Sequence, residues 1–268
     1  MRRRVALFAC VLIAVATPDL LRGSKEPARE AAASFPEPVA DMGTAQAPPL
    51  TTRGRLRRAR RWAATRQGDV TFAVLDDRRR LRGEGLDVQR PAASLSKAML
   101  LIAVLRSGEQ LDPATTATLK AMVTVSDNDA ADLVYGRVGT PGLLDVAQAA
   151  GMTHFAGGYW AQARVTAADQ ARLFYRLDHV MPRRHRAVAR GLLASVVPWQ
   201  SWGIAAVARR AGLRVWFKGG WRTDVVHQAA LVEGHGRREA IAILTRGSPS
   251  FEYATATVEG VAGRLLSG

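Results

Sequence analysis

The apolar positions change period twice along the chain. Residues 49–67 place Leu56, Ala59, Ala63 and Ala64 near one face of a basic, helix-period stretch. VTFAVLD (70–76) then runs apolar, and RRLRGEGLD (79–87) follows after Asp76-Asp77-Arg78. That pairing predicts a buried strand and an edge-like partner in an antiparallel hairpin. From Ser94 the pattern becomes helical, first over 94–106 and then over 113–123, 129–137, 141–150, 166–178 and 184–195. Gly, Pro and Asn-Asp breaks separate these segments. Strand patterning returns in LRVWFK (213–218), VHQAALVE (226–233) and EAIAILTR (239–246), and a final helix covers about 250–266. EGHGRR (233–238) supplies the turn between the last two strands, and Gly83-Glu84-Gly85 reads as a hairpin turn.

Two strands, many helices, then three strands give an α+β fold, an α/β sandwich. We expect a five-stranded antiparallel sheet covered by helices, with an all-helical subdomain inserted between the second and third strands. Catalytic groups would lie where sheet and subdomain meet.

The first 50 residues have another character. Met-Arg-Arg-Arg precedes an apolar run from Val5 to Ala16 that ends in Ala-Val-Ala. This pattern predicts an export signal over 1–16, or a short N-terminal anchor, with no membrane span in the mature protein. Residues 17–50, rich in Ala, Pro, Glu and Ser, read as a flexible linker, so the folded domain is 51–268. The expected location is outside the cytoplasm, secreted or attached to the cell envelope. Cys10 is the single cysteine and falls within the signal, which leaves no disulfide chemistry for the mature chain.

Net charge is +15, yet only four of the 38 basic residues are lysine: Lys25, Lys97, Lys120 and Lys218. Arginine clusters at 53–61, 78–82 and 183–190 either form a solvated basic surface or meet anionic envelope polymers. No nucleic-acid module accompanies the charge, so nucleic acid is not an expected partner. The five histidines lack metal-ligand spacing, and no Walker A, C-x-x-C, H-E-x-x-H or G-x-S-x-G is present. We expect neither metal nor cofactor.

Against that arginine background, lysine placement is informative. Ser94-Leu95-Ser96-Lys97 is an S-x-x-K at a helix start, where residues three apart share a face and Ser96 points elsewhere. A lysine can lose its proton when buried and so activate a serine, which an arginine cannot do. The structural alternative is an N-cap serine beside an exposed lysine. Ser126-Asp127-Asn128 lies in a break between helices and could present a hydroxyl and a carboxamide to a cleft, or merely cap the next helix. Lys218-Gly219-Gly220-Trp221 ends the strand LRVWFK, where two glycines allow close backbone approach or simply stop the strand.

Taken in order, S-x-x-K, S-D-N and K-x-G resemble the signatures of the serine β-lactamase and penicillin-binding protein superfamily, specifically class A β-lactamases. The likeness spans 51–268. It implies Ser94 as the acylated nucleophile, Lys97 as a candidate base and Ser126 as proton shuttle. Asn128 would bind the substrate's side-chain amide and Lys218 its carboxylate. The backbone N–H groups of Ser94 and Trp221 would form the oxyanion hole beyond Gly220. The chain also departs from the family. No Asp or Glu occurs from Ala147 to Ala168, where the family carries its deacylating glutamate, and K-T-G has become K-G-G. Gln162 or His154 could position a water, and Arg222 or Thr223 could replace the lost hydroxyl. The resemblance implies a serine hydrolase acting on β-lactams or D-alanyl peptides of peptidoglycan, acylating readily and deacylating slowly. The competing reading is a catalytically weak envelope-binding protein that uses its arginine-rich surface.

Overall fold

The computed structural model describes residues 52–267. The expected signal and linker, and residue 51, lie outside them. Five antiparallel strands form the sheet in the order β2-β1-β7-β6-β5. They are β1 (Asp69–Leu75), β2 (Leu81–Glu84), β5 (Arg214–Arg222), β6 (Val225–Gly234) and β7 (Arg237–Arg246). Between β2 and β5 run β3 (Arg90–Pro91), β4 (Arg164–Val165) and helices α2 (Ser96–Arg106), α3 (Pro113–Lys120), α4 (Asn128–Ala150), α5 (Ala167–Tyr175), α6 (Arg186–Ala194) and α7 (Ile204–Arg210). Helices α1 (Thr52–Ala64) and α8 (Phe251–Leu266) close the other face. The five-stranded α+β fold with a helical insertion is therefore the architecture observed.

Strand alternation feeds two cores. On β1, Ala73 and Leu75 enter the core with α2, while Phe72 and Val74 enter the core with α1 and α8. Val215 and Phe217 of β5 share that second core, and Trp216 turns to the first. In α2, every residue from Ser96 to Leu105 is buried, as expected of a helix apolar on all sides. It stands at the centre of the insertion and carries Lys97 with it.

Local signals set several boundaries. Asp112 and Asp127 cap α3 and α4 by accepting from Thr115 N and Ala130 N. Segments 129–137 and 141–150 join into one kinked helix, because Gly139 adopts φ 57° just before Pro141. Three expectations need correction. Strand β5 does not end at Lys218 but continues through Gly219-Gly220-Trp221 to Arg222, since each of these residues pairs with β6. Gly83 and Glu84 lie within β2, paired with Ala73 and Phe72, so the β1–β2 turn is at 76–80 alone. Helix α7 and the β3–β4 ribbon escaped the sequence pattern, the ribbon because two residues per strand are too few for a period.

Candidate active site

Ser94 lies in a single 3-10 turn, Ala93–Leu95, immediately before α2. Ala93 holds φ 46°, a left-handed conformation that costs a non-glycine residue on the order of 1 kcal/mol. Ser96 is fully buried, and its hydroxyl is spent on Ala93 O at 2.8 Å. Of the two serines beside Lys97, only Ser94 keeps a hydroxyl with no hydrogen-bond partner among the described residues.

Lys97 is fully buried, and its amine donates to Asn128 Oδ1 at 2.7 Å, to Ser126 O, and to Ser126 Oγ at 3.3 Å. Ser126 also has left-handed backbone, φ 61°, at the end of a one-turn π-helix (Ala121–Val125). That strained conformation turns both its carbonyl and its hydroxyl to the lysine. From the sheet side, Lys218 donates to the same Ser126 Oγ at 3.0 Å and to Gly219 O at 2.9 Å. One hydroxyl therefore bridges two buried amines, one from α2 and one from β5.

Burial dominates both lysines. Desolvation lowers Lys97 to about 8, against the opposing pull of Asp127 and Asp132. It lowers Lys218 to about 7, and the charge of Lys97 pushes the same way. The lower value lies on Lys218, so the form with neutral Lys97 and cationic Lys218 is the minority form of the pair near neutral pH. That is the combination an activated serine and a substrate carboxylate require.

Gly220 brings β5 against the turn that holds Ser94. A Cβ there would lie 2.8 Å from Leu95 N, 2.9 Å from Ser94 N and 3.2 Å from Ala92 O. The next residue is Trp221, so its N–H is one residue beyond this close approach. Behind the turn, His227 is fully buried and neutral, lowered to about 4 by burial. Its Nδ1 accepts from Thr245 N at 3.2 Å and its Nε2 donates to Pro91 O at 3.1 Å, fastening the segment before Ser94 to β6 and β7.

Lys97, Ser126, Asn128 and Lys218 thus form one hydrogen-bonded cluster, and Gly220, two residues along β5 from Lys218, meets the Ser94 turn. Arg222 and Thr223 stand apart from it. Arg222 ends β5 and pairs with Asp224 at 3.2 Å, Thr223 lies in the exposed turn, and neither bonds to the lysine cluster. His154 and Gln162 are exposed, with His154 beside Asp87 and Thr153.

Sequence reasoning missed Trp160. This buried residue of the loop between α4 and α5 sets its ring 4.7 Å from Lys97 Nζ. Its indole N–H donates to Asp132 Oδ1 at 2.7 Å, and Tyr159 OH donates to the same oxygen at 2.6 Å. These two bonds hold the Asp132 carboxyl below the usual carboxylate range. Asp132 follows Asn128 by four positions on α4, which could have flagged it as facing the same cleft. Asp169 anchors the loop's start, accepting from Thr153 N at 2.8 Å and His154 N at 3.0 Å.

The model of the β-lactamase enzyme family matches residues 109–267, a stretch that contains Ser126, Asn128 and Lys218. The chain belongs to that family. Its fold is similar to a β-lactamase from Sphaerobacter thermophilus DSM 20745, with TM-score 0.71 and 18% identity over 81% of this chain and 97% of the other. An ancestral class A β-lactamase matches with TM-score 0.67 and 21% identity, covering 79% of this chain and 98% of its own. PBP-A matches with TM-score 0.64 and 16% identity over 78% and 94%. No curated protein matches the sequence. Family and fold place the chain in the β-lactamase/transpeptidase-like serine hydrolase superfamily.

Proposed function

We propose that this protein is an exported serine hydrolase that acylates Ser94 with β-lactams or with D-alanyl peptides of peptidoglycan. The observation that carries this reading is the bridge from Lys97 through Ser126 to Lys218, beside a serine hydroxyl free of partners. Neutral Lys97 takes the Ser94 proton as Oγ bonds to the substrate carbonyl carbon. The backbone N–H groups of Ser94 and Trp221 receive the oxyanion. As the C–N bond breaks, Ser126 passes its proton to the departing nitrogen and regains one from Lys97, while Lys218 holds the substrate carboxylate. An ester on Ser94 remains.

Release of that ester is the slow half of the cycle. Trp160 covers Lys97 with an aromatic ring, and Asp132, whose charge reaches Lys97, is a weakened base held by two hydrogen bonds. Incubation with a labelled penicillin tests both halves. The expected result is one label per chain with little product release, abolished in Ser94→Ala. Absence of labelling in the wild type would defeat the proposal, and rapid turnover would defeat slow deacylation.

The arginine surface supports a second, compatible role. Arg53, Arg57, Arg60, Arg80 and Arg82 line one groove between α1 and β2, which suits an anionic envelope polymer. Among the described residues no helix is long and apolar enough to cross a membrane. The apolar run at 5–16 is what motivates export.

A further inference from the structure

A cavity of about 540 Å3 opens beyond the end of β5, within the size range of small-ligand sites. Its walls come from the turn before α7, from the β5–β6 hairpin and from the start of α8. Trp202, Trp221 and Phe251 form a mutual cluster with ring centroids 5.8–6.3 Å apart. Trp199 joins them with 72% of its surface exposed, and Trp221 and Phe251 are also well exposed. So much aromatic surface at one solvent-facing cavity marks a place of binding. Lining residues also carry polar atoms without a partner among the described residues: Gln200 Oε1, Trp202 Nε1 and Ser248 Oγ. Gln200 is only 5% exposed, so its unpaired oxygen carries a desolvation cost until something donates to it.

The cavity and the cleft share a strand. Trp202 lies over Gly219, where a Cβ would sit 3.4 Å from its ring, and Gly219 directly follows Lys218. Gly220 touches the Ser94 turn from the opposite face, and Trp221 then turns back to the aromatic cluster. β5 is the outer strand of the sheet, so its edge is unpaired and bare of side chains at both glycines. A substituent can therefore pass around that edge from the cleft into the cavity.

We propose that this cavity is a specificity subsite for a planar aromatic ring carried by the substrate next to the carboxylate that Lys218 holds. The proposal rests on the acyl-enzyme reading above for the position of that carboxylate. Ring faces and edges of Trp202, Trp221 and Phe251 stack with the incoming ring, and the unpaired amide and indole groups accept and donate to its polar substituents.

Two cephalosporins that share their amide side chain, one with a nitrostyryl group at C3 and one with methyl, test the subsite. The wild type acylates the nitrostyryl compound at least tenfold faster, and the ratio falls at least fivefold in Phe251→Ala. Trp199→Ala, at a position too exposed to threaten folding, lowers the same ratio. A wild-type ratio near one, or a ratio unmoved by both variants, overturns the subsite. A parallel titration uses Ser94→Ala and 4-nitrophenylacetate, read by tryptophan quenching. Saturable quenching that Phe251→Ala removes supports the cavity even if no cephalosporin acylates, in which case the acyl-enzyme reading alone fails. No saturable quenching, together with no ratio, sinks the subsite.

Discussion

Gly220→Ala isolates the contact between the sheet and the Ser94 turn. The added methyl would meet Leu95 N at 2.8 Å and Ser94 N at 2.9 Å, both backbone atoms that cannot rotate away. Relief requires β5 or the Ala93–Leu95 turn to shift by several tenths of an ångström, while His227 ties Pro91 back to the sheet. Overpacking of this kind costs about 1–3 kcal/mol. For a domain of this size that lowers Tm by roughly 2–12 °C. The loss in acylation should be larger than stability alone gives, because a displacement approaching 1 Å at a reacting group costs on the order of 100-fold. Gly219→Ala is the control, since its methyl would meet the Trp202 ring at 3.4 Å and His227 O at 3.9 Å, both ordinary contacts. Single-turnover acylation followed by intact mass, beside thermal unfolding, reads both quantities. Wild-type acylation in a folded Gly220→Ala protein would refute the claim that this close approach shapes the site.

Two further outcomes follow from the buried charges. The acylation rate constant per unit of anionic β-lactam should be bell-shaped in pH. Lys218, at about 7, gives up its proton before Lys97, at about 8, so the productive form is the minority one: the rate climbs to about pH 7, levels off, and falls above about pH 8. Lys218→Arg keeps the cation at every accessible pH, so the alkaline limb should vanish; a persistent limb would contradict the assignment. Elsewhere, Arg55 of α1 is buried against Glu239 of β7 at 2.8 Å and donates to Leu265 O at 2.7 Å. Arg55→Ala strands the glutamate and should cost about 3–5 kcal/mol in denaturant unfolding, with Glu239→Ala in the same chain restoring part of it. A double variant no more stable than the single one would count against that account.

The legible part of the site was the part that uses rare residue types at fixed spacing. Lysine is scarce here, so Lys97 and Lys218 stood out, and Ser94 shared a helical face with one of them. The sheet was legible because β1 and the inner stretches of β6 and β7 are buried on both faces and run largely apolar. What stayed hidden depends on chain segments meeting at a distance. Trp160 carries no motif in the sequence, and only the loop after α4 lays it over Lys97. Trp202, Trp221 and Phe251 are 19 to 49 positions apart, and only the fold brings the segment before α7, the end of β5 and the start of α8 into one wall. The length of β5 was misjudged because glycine usually stops a strand, whereas here it is required by the backbone of Ser94 on the facing turn.

The order of the sheet also sets a timetable for synthesis. β1 takes β7 as its inner neighbour, pairing Asp69 with Arg246 and Leu75 with Ala240. At ribosomal speeds of about 5–20 residues per second, the first hairpin waits roughly 8–35 s for that partner. Until then Phe72 and Val74 lack the β7 and α8 side of the second core, and β5, which presses against the turn bearing Ser94, is itself made only shortly before. The nascent chain thus carries unsatisfied apolar surface for most of its birth, and the surroundings of Ser94 are assembled late in folding.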